Sequence, residues 1–189
     1  MQQRSQGLVF IALLFAAVPV RAADNYAVDK VHSSITFKIS HLGLAWIHGR
    51  FDDCSGDFTI DPGDPGKCSF TMTIPTKSVD TNNGKRDEHL RSGDFFNITQ
   101  FPAITFKSTA VKPIKDGYQV TGDFTLHGVT KPVTFDLVGG RQRQFPPGMT
   151  RTGFSTELVI KRSEYGMDKM TEMLGDQVHV SVSFEGTKK

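Results

Sequence analysis

Apolar residues recur at every second position through segment after segment of this chain. Val178, Val180, Val182 and Phe184 alternate with His179, Ser181, Ser183 and Glu185, and Tyr118, Val120, Phe124 and Leu126 alternate with Gln119, Thr121, Asp123 and Thr125. A period of two puts one set of side chains on each face of a β-strand. About eight such segments can be read. The first covers residues 31–39, with Ile35, Phe37 and Ile39 on one face. The second covers 47–60; its apolar phase is odd at Ile47 and Phe51 and even at Phe58 and Ile60, so a one-residue slip near Asp52-Asp53 predicts a β-bulge. Asp61-Pro62-Gly63-Asp64-Pro65-Gly66 is dense turn chemistry. A third strand follows with Phe70, Met72 and Ile74 inward.

The fourth strand is read over 103–111 and the fifth over 117–126. His127-Gly128 makes a tight turn into a sixth, where Val129, Val133, Phe135 and Leu137 face in. Residues 141–151 read as a loop with Pro146-Pro147-Gly148 at its tip. The seventh strand carries Phe154, Leu158 and Ile160, residues 163–176 are irregular, and the eighth strand covers 177–185. Two stretches break the alternation. His41-Leu42-Gly43-Leu44-Ala45-Trp46 reads as a turn or short helix. Between 81 and 102, Asn82 can cap a short helix through Arg91, with Asp87 and Glu88 early and His89 and Arg91 late, a polarity that suits the helix dipole. Leu90, Phe95, Phe96 and Phe101 give that excursion an apolar side.

Consecutive strands joined by short turns predict an antiparallel sheet. Eight of them closing into a barrel would leave no exposed edge, and a two-sheet sandwich is the rival. The expected architecture is all-β, an eight-stranded antiparallel barrel with a short helical excursion between the third and fourth strands. A barrel of this size holds either packed side chains or a small apolar ligand.

The N-terminus reads as export machinery. Arg4 precedes an uncharged apolar run from Gly7 to Val20, and Val20-Arg21-Ala22 fits a small-x-small cleavage site, which predicts a secretory leader over 1–22 removed after Ala22. The mature chain, 23–189, has the length of one domain and is expected to be exported. The leader holds two of the 22 basic residues and none of the 20 acidic ones, so the mature chain is close to neutral. That argues against a nucleic-acid partner, which would leave a basic excess. Export permits a disulfide between Cys54 and Cys68. A hairpin turn centred near Asp64 would set Cys54 opposite Ile74 and Cys68 opposite Ile60, too far apart to bond, whereas a longer, irregular turn could bring them together. A disulfide and two buried thiols both stay open.

Little else suggests chemistry. The six histidines, at 32, 41, 48, 89, 127 and 179, lack metal-site spacing, though His41 and His48 flank the Trp46 turn and could meet. Gly153-Phe154-Ser155-Thr156 lacks the second glycine of a nucleophile elbow. No catalytic residue, metal or cofactor is expected. Arg141, Arg143 and Arg151 could draw a membrane surface transiently, or be solvated loop charges; a homodimer is compatible with the sequence.

What remains is the interior. Phenylalanine appears 15 times, against one tryptophan and three tyrosines, and it offers area with no polar handle. A filled core and a lined tunnel are equally compatible with that pattern. In the tunnel reading the ligand wall comprises Ile35, Phe37 and Ile39, then Trp46, then Phe58 and Ile60. Phe70, Met72 and Ile74 continue it, with Leu90 and Phe95 from the excursion and Phe106, Phe124 and Phe135 from the middle strands. Phe154, Leu158, Ile160, Met170, Val180 and Val182 complete it, with methionines lending adaptability.

Several stretches together resemble the YceI-like family of periplasmic polyisoprenoid-binding proteins. They are Tyr26-Ala27-Val28-Asp29, Phe37-Lys38-Ile39-Ser40-His41-Leu42-Gly43 and Gly49-Arg50-Phe51. More distinctive are Ser78-Val79-Asp80-Thr81-Asn82, Arg86-Asp87-Glu88-His89-Leu90-Arg91-Ser92-Gly93-Asp94-Phe95-Phe96, and Gly128-Val129-Thr130-Lys131-Pro132-Val133. The resemblance implies an extended lipocalin-like barrel whose tunnel holds an isoprenoid or similar long-chain amphiphile, of the isoprenoid quinone or polyprenyl phosphate type, with no catalysis. It implies an architectural role for Asn82, Arg86, Asp87, His89 and Arg91. A filled-barrel structural or interaction protein of the envelope is the alternative.

Overall fold

The computed structural model describes residues 23–189; the expected leader lies outside them. Among the described residues ten strands and one α-helix are formed: β1 (Asp24–His41), β2 (Ala45–Phe51), β3 (Asp57–Ile60), β4 (Ser69–Pro75), β5 (Val79–Asp80), α1 (Gly84–Arg91), β6 (Ala103–Ile114), β7 (Gly117–Leu126), β8 (Val129–Gln144), β9 (Thr150–Lys161) and β10 (Leu174–Lys188). All pairings are antiparallel, and the sheet closes because β1 pairs with both β3 and β10. The upper half of β1 pairs instead with β2, Ile35 lying opposite Phe51, and β5 continues from β4 to pair with β2. Thus β2 with β3, and β4 with β5, each fill one place in an eight-stranded barrel, and the closed ring rules out the sandwich.

The expected second strand over 47–60 is therefore two strands. Residues 52–56 fall between the two strands instead of slipping by one within a single strand, and the detour is pinned by Val28 N donating to Gly56 O at 2.9 Å and by paired bonds between Ser55 and Thr73. The register of β3 on β4, with Phe58 opposite Phe70 and Thr59 opposite Ser69, sets Cys68 across from Ile60. Both thiols are free and buried. Burial pushes both above the ordinary thiol range, and Cys68 Sγ accepts Asp61 N–H at 3.3 Å.

The loop expected over 141–151 is mostly strand: β8 runs on to Gln144 and β9 starts at Thr150. Arg141 to Gln144 are polar on both faces, which hides the alternation. Gln142 is nonetheless tied inward, its amide donating to the Tyr26 hydroxyl at 2.7 Å. The helix is capped by Asn83, whose side chain accepts Arg86 N–H at 3.1 Å. Asn82, the expected cap, instead takes a left-handed backbone, φ 59°, and donates its N–H to Asp80.

The interior divides along the barrel axis. At the end where Lys189 N–H meets Asn25 O, Phe58 stacks on Tyr26 (ring centroids 4.9 Å apart, 9° between planes) and on Phe70 (5.8 Å, 14°). Phe154 and Phe184 close on Phe58 edge-on at 5.8 and 5.5 Å. Gly186 on β10 makes room: a Cβ there would stand 2.3 Å from the Phe58 ring. These rings meet at the axis and seal that end. The other end is walled by a second cluster, including Ile35, Ile74, Ile104, Leu126 and Ile160, over which Phe95, Phe96, Tyr165 and Met167 fold.

Candidate functional site

Above the sealed floor lies a cavity of about 620 Å³, within the usual range for ligand pockets. Its wall is built by the two-residue period: Ile35, Phe37 and Ile39 from β1, Phe106 from β6, Phe124 from β7, Phe135 from β8, Leu158 and Ile160 from β9, and Val180 and Val182 from β10. Met72 and Ile74 of β4 stand beside them, Phe58 and Phe70 form the floor, and Leu90, Phe95 and Met170 lie toward the mouth.

Of the residues assigned to the wall from sequence, three stand elsewhere. Trp46 pairs with Ser40, whereas its neighbour Ile47 pairs with Ile39, so the strand phase turns Trp46 outward. Its ring meets His179 edge-on at 5.1 Å and carries Lys38 Nζ 5.0 Å from its centroid. Ile60 lies on the floor's far side, two residues beyond Phe58, packed among the sealing rings. Phe154 is one of those rings, 5.5 Å from Phe70. His41 and His48 do not meet, since His48 lies opposite Lys38 and His41 opposite Ala45. Sequence reasoning missed Ile47, Phe51, Leu137 and Phe184, which were in phase with the wall but not assigned to it, and Phe96 and Leu174 of the irregular segments.

Three threonines, Thr36, Thr71 and Thr156, interrupt the apolar wall, and its charged and imidazole groups are gathered at the mouth. His41, Thr81, Asn83, Lys85, Arg86, His89 and Arg162 line it, and no carboxylate does. The nearby acid on the helix, Asp87, is buried behind the wall and accepts the Thr81 N–H (2.9 Å) and hydroxyl. Arg86 holds the same residue from outside, Nε donating to Thr81 Oγ1 at 2.8 Å and Nη2 to Thr81 O at 2.7 Å. Arg91 fastens the helix to the preceding strand through Lys77 O and Val79 O, at 2.9 and 2.6 Å. His89 bonds Asp94 at 3.0 Å. Together these bonds fix the excursion as a lid over the barrel's open end.

Arg162 is buried, with 3% of its surface exposed. Its guanidinium donates to four carbonyls: Met167 at 2.6 Å, Lys169 at 2.7 Å, Gly175 at 3.0 Å and Leu174 at 3.2 Å. Burial pulls it below the ordinary arginine range, against the field of Asp176 and Asp168. Asp176 itself is engaged by Ser163 N–H and hydroxyl, both at 2.9 Å. Among the residues that line the cavity, the two histidines, His41 and His89, are accompanied by no serine, cysteine or carboxylate.

Residues 26–186 match the YceI-like domain family. The chain is 42% identical over 193 residues to Protein YceI of Shigella flexneri, covering the whole of both. Its fold superimposes on crystalline BcnA of Burkholderia cenocepacia with a TM-score of 0.75 and 25% identity, covering 84% of this chain and 98% of that one. A polyisoprenoid binding domain from Saccharophagus degradans implicated in plant cell wall breakdown shares the fold at a TM-score of 0.64 and 18% identity, over 87% of this chain and 98% of that one.

Proposed function

The chain belongs to the YceI-like family, and on that premise we propose that it binds a long-chain isoprenoid or similar amphiphile and carries or sequesters it in the periplasm. The apolar cavity of about 620 Å³, closed at one end, is the observation that carries this reading. A tail occupying it would gain ~0.8 kcal/mol per buried CH₂, of which only the surplus over ordering costs appears as affinity. Fit alone can therefore hold the tail, and the reading needs no catalytic residue. The leader read over 1–22 supports export. The solved domain whose name records polyisoprenoid binding supports the ligand class by fold.

The direct test is organic extraction of freshly isolated protein followed by mass spectrometry. An amphiphile bound near one equivalent is expected; protein that yields none and displaces no neutral apolar fluorophore overturns the proposal.

The base-only mouth favours an anionic head, the polyprenyl phosphate type over the quinone type. Charge-assisted hydrogen bonds are worth about 1.5–3 kcal/mol, so a polyprenyl monophosphate is expected to bind about tenfold or more tighter than the polyprenol of equal length. Lys85→Gln removes an exposed cation from the mouth and is expected to cut that preference by about threefold while leaving polyprenol affinity unchanged. Equal affinity for the two probes would refute the head-group assignment and leave the tail site standing.

A further inference from the structure

We propose that the rim of the mouth docks on a lipid bilayer. Two turns form this rim: the one joining β1 to β2, and the segment preceding β10. They carry Leu42, Leu44, Met170 and Met173, with Trp46 beside them, and all five are exposed, Leu44 at 84%. The turns act as one edge because Leu42 N–H donates to Met173 O at 2.7 Å. Neither Leu42 nor Met170 suits its backbone: both are left-handed, with φ 52° and 58°, where asparagine or glycine carries little cost. The rim thus spends conformational energy to present oily side chains to water, and Leu42 takes no part in the cavity wall.

The apolar surface is continuous with the cavity. Met170 and Leu174 belong to the cavity wall, so a hydrocarbon chain passing from a bilayer over this rim never crosses open water. The chemistry matches an interface as well. Tryptophan sits at headgroup depth, and Lys38 lies over the Trp46 ring with a long stem that can reach the headgroups. Asp168 and Glu172 flank Lys169 in the same segment, so insertion of apolar groups supplies the grip and added salt leaves it largely intact. At the sealed end Phe145 is also exposed, but it lies in the β8–β9 turn, away from the mouth.

Trp46 is the chain's single tryptophan and reports directly on the rim. With phosphatidylethanolamine–phosphatidylglycerol vesicles its emission is expected to shift to the blue, and brominated acyl chains are expected to quench it. Burying one leucine is worth about 1.5–3 kcal/mol, so Leu44→Asp is expected to weaken vesicle partitioning about tenfold or more, while Phe145→Asp changes nothing. Unchanged Trp46 emission on vesicles overturns the proposal, and so does an effect of Phe145→Asp in place of Leu44→Asp. A Leu44→Asp variant that dissociates a dimer in size exclusion without altering vesicle binding shows the rim to be a self-interface and overturns it too. The proposal rests on the ligand reading only for why a bilayer is met. Quenching needs no bound ligand and extraction needs no membrane, so the two can fail separately.

Discussion

Phe58→Ala is expected to destabilise the protein by about 3–5 kcal/mol, at the upper part of that range because four rings lean on this one. Phe58 is 2% exposed, and its stacked and edge-on partners, Tyr26, Phe70, Phe154 and Phe184, each add about 0.5–1.5 kcal/mol beyond area burial. Chemical denaturation checks this as a lowered midpoint at unchanged slope. The same truncation lowers the cavity floor, since Phe58 faces the cavity. Lipid extracted from the variant is then expected to include longer chains than lipid from the parent. Phe58→Leu, which keeps most of the volume but none of the ring contacts, separates the two effects: a loss of about 2 kcal/mol with little change in chain length. A loss below ~1 kcal/mol for the alanine variant would mean that the rings do not pack as a unit.

The second large effect is expected at Arg162. Replacing it with alanine leaves the carbonyls of Met167, Lys169, Leu174 and Gly175 without their donor. Hydrogen bonds from a charged group are worth about 1.5–3 kcal/mol each, while relief from holding a buried cation offsets part of the sum. A net loss of about 3–4 kcal/mol is expected. It is local in character: residues 163–175 would exchange amide protons and admit protease before the barrel unfolds. Arg162→Lys offers a point charge in place of a planar fork, so it is expected to recover only part of the stability. Because Met167 and Met170 on this segment belong to the cavity wall, ligand affinity falls with it. An alanine variant with full stability and an unchanged exchange pattern would show that the carbonyls find other donors.

Much of this was legible in the alternation. The strand read over 117–126 matches β7 residue for residue, and the hairpin at His127-Gly128, both left-handed with φ 50° and 76°, stands where the sequence put it. The cysteine register was legible because one turn fixes every pairing beyond it, and Thr59 opposite Ser69 carries it to Cys68. Failures came where the pattern is silent. Trp46 looked like wall because it is large and apolar, and only the strand phase, set by Ser40 opposite it, sends it outward. The end of β8 was lost because both of its faces are polar there. The division between a sealed and a hollow end could not be read from phenylalanines, since Phe58 and Phe124 both face inward from their strands. The glycines do not separate the two ends either: Gly186 makes room for the Phe58 ring at the sealed end, but Gly49 and Gly122 make room in the same way for Phe37 and Phe106 of the cavity wall.

Under the carrier role proposed above, the sealed floor also fixes a direction of travel. With one doorway, cargo cannot thread through the barrel; whatever enters tail first must back out head first. An acceptor waiting outside would meet the polar end before any hydrocarbon, so the handover would begin with recognition of that end and finish with withdrawal of the tail.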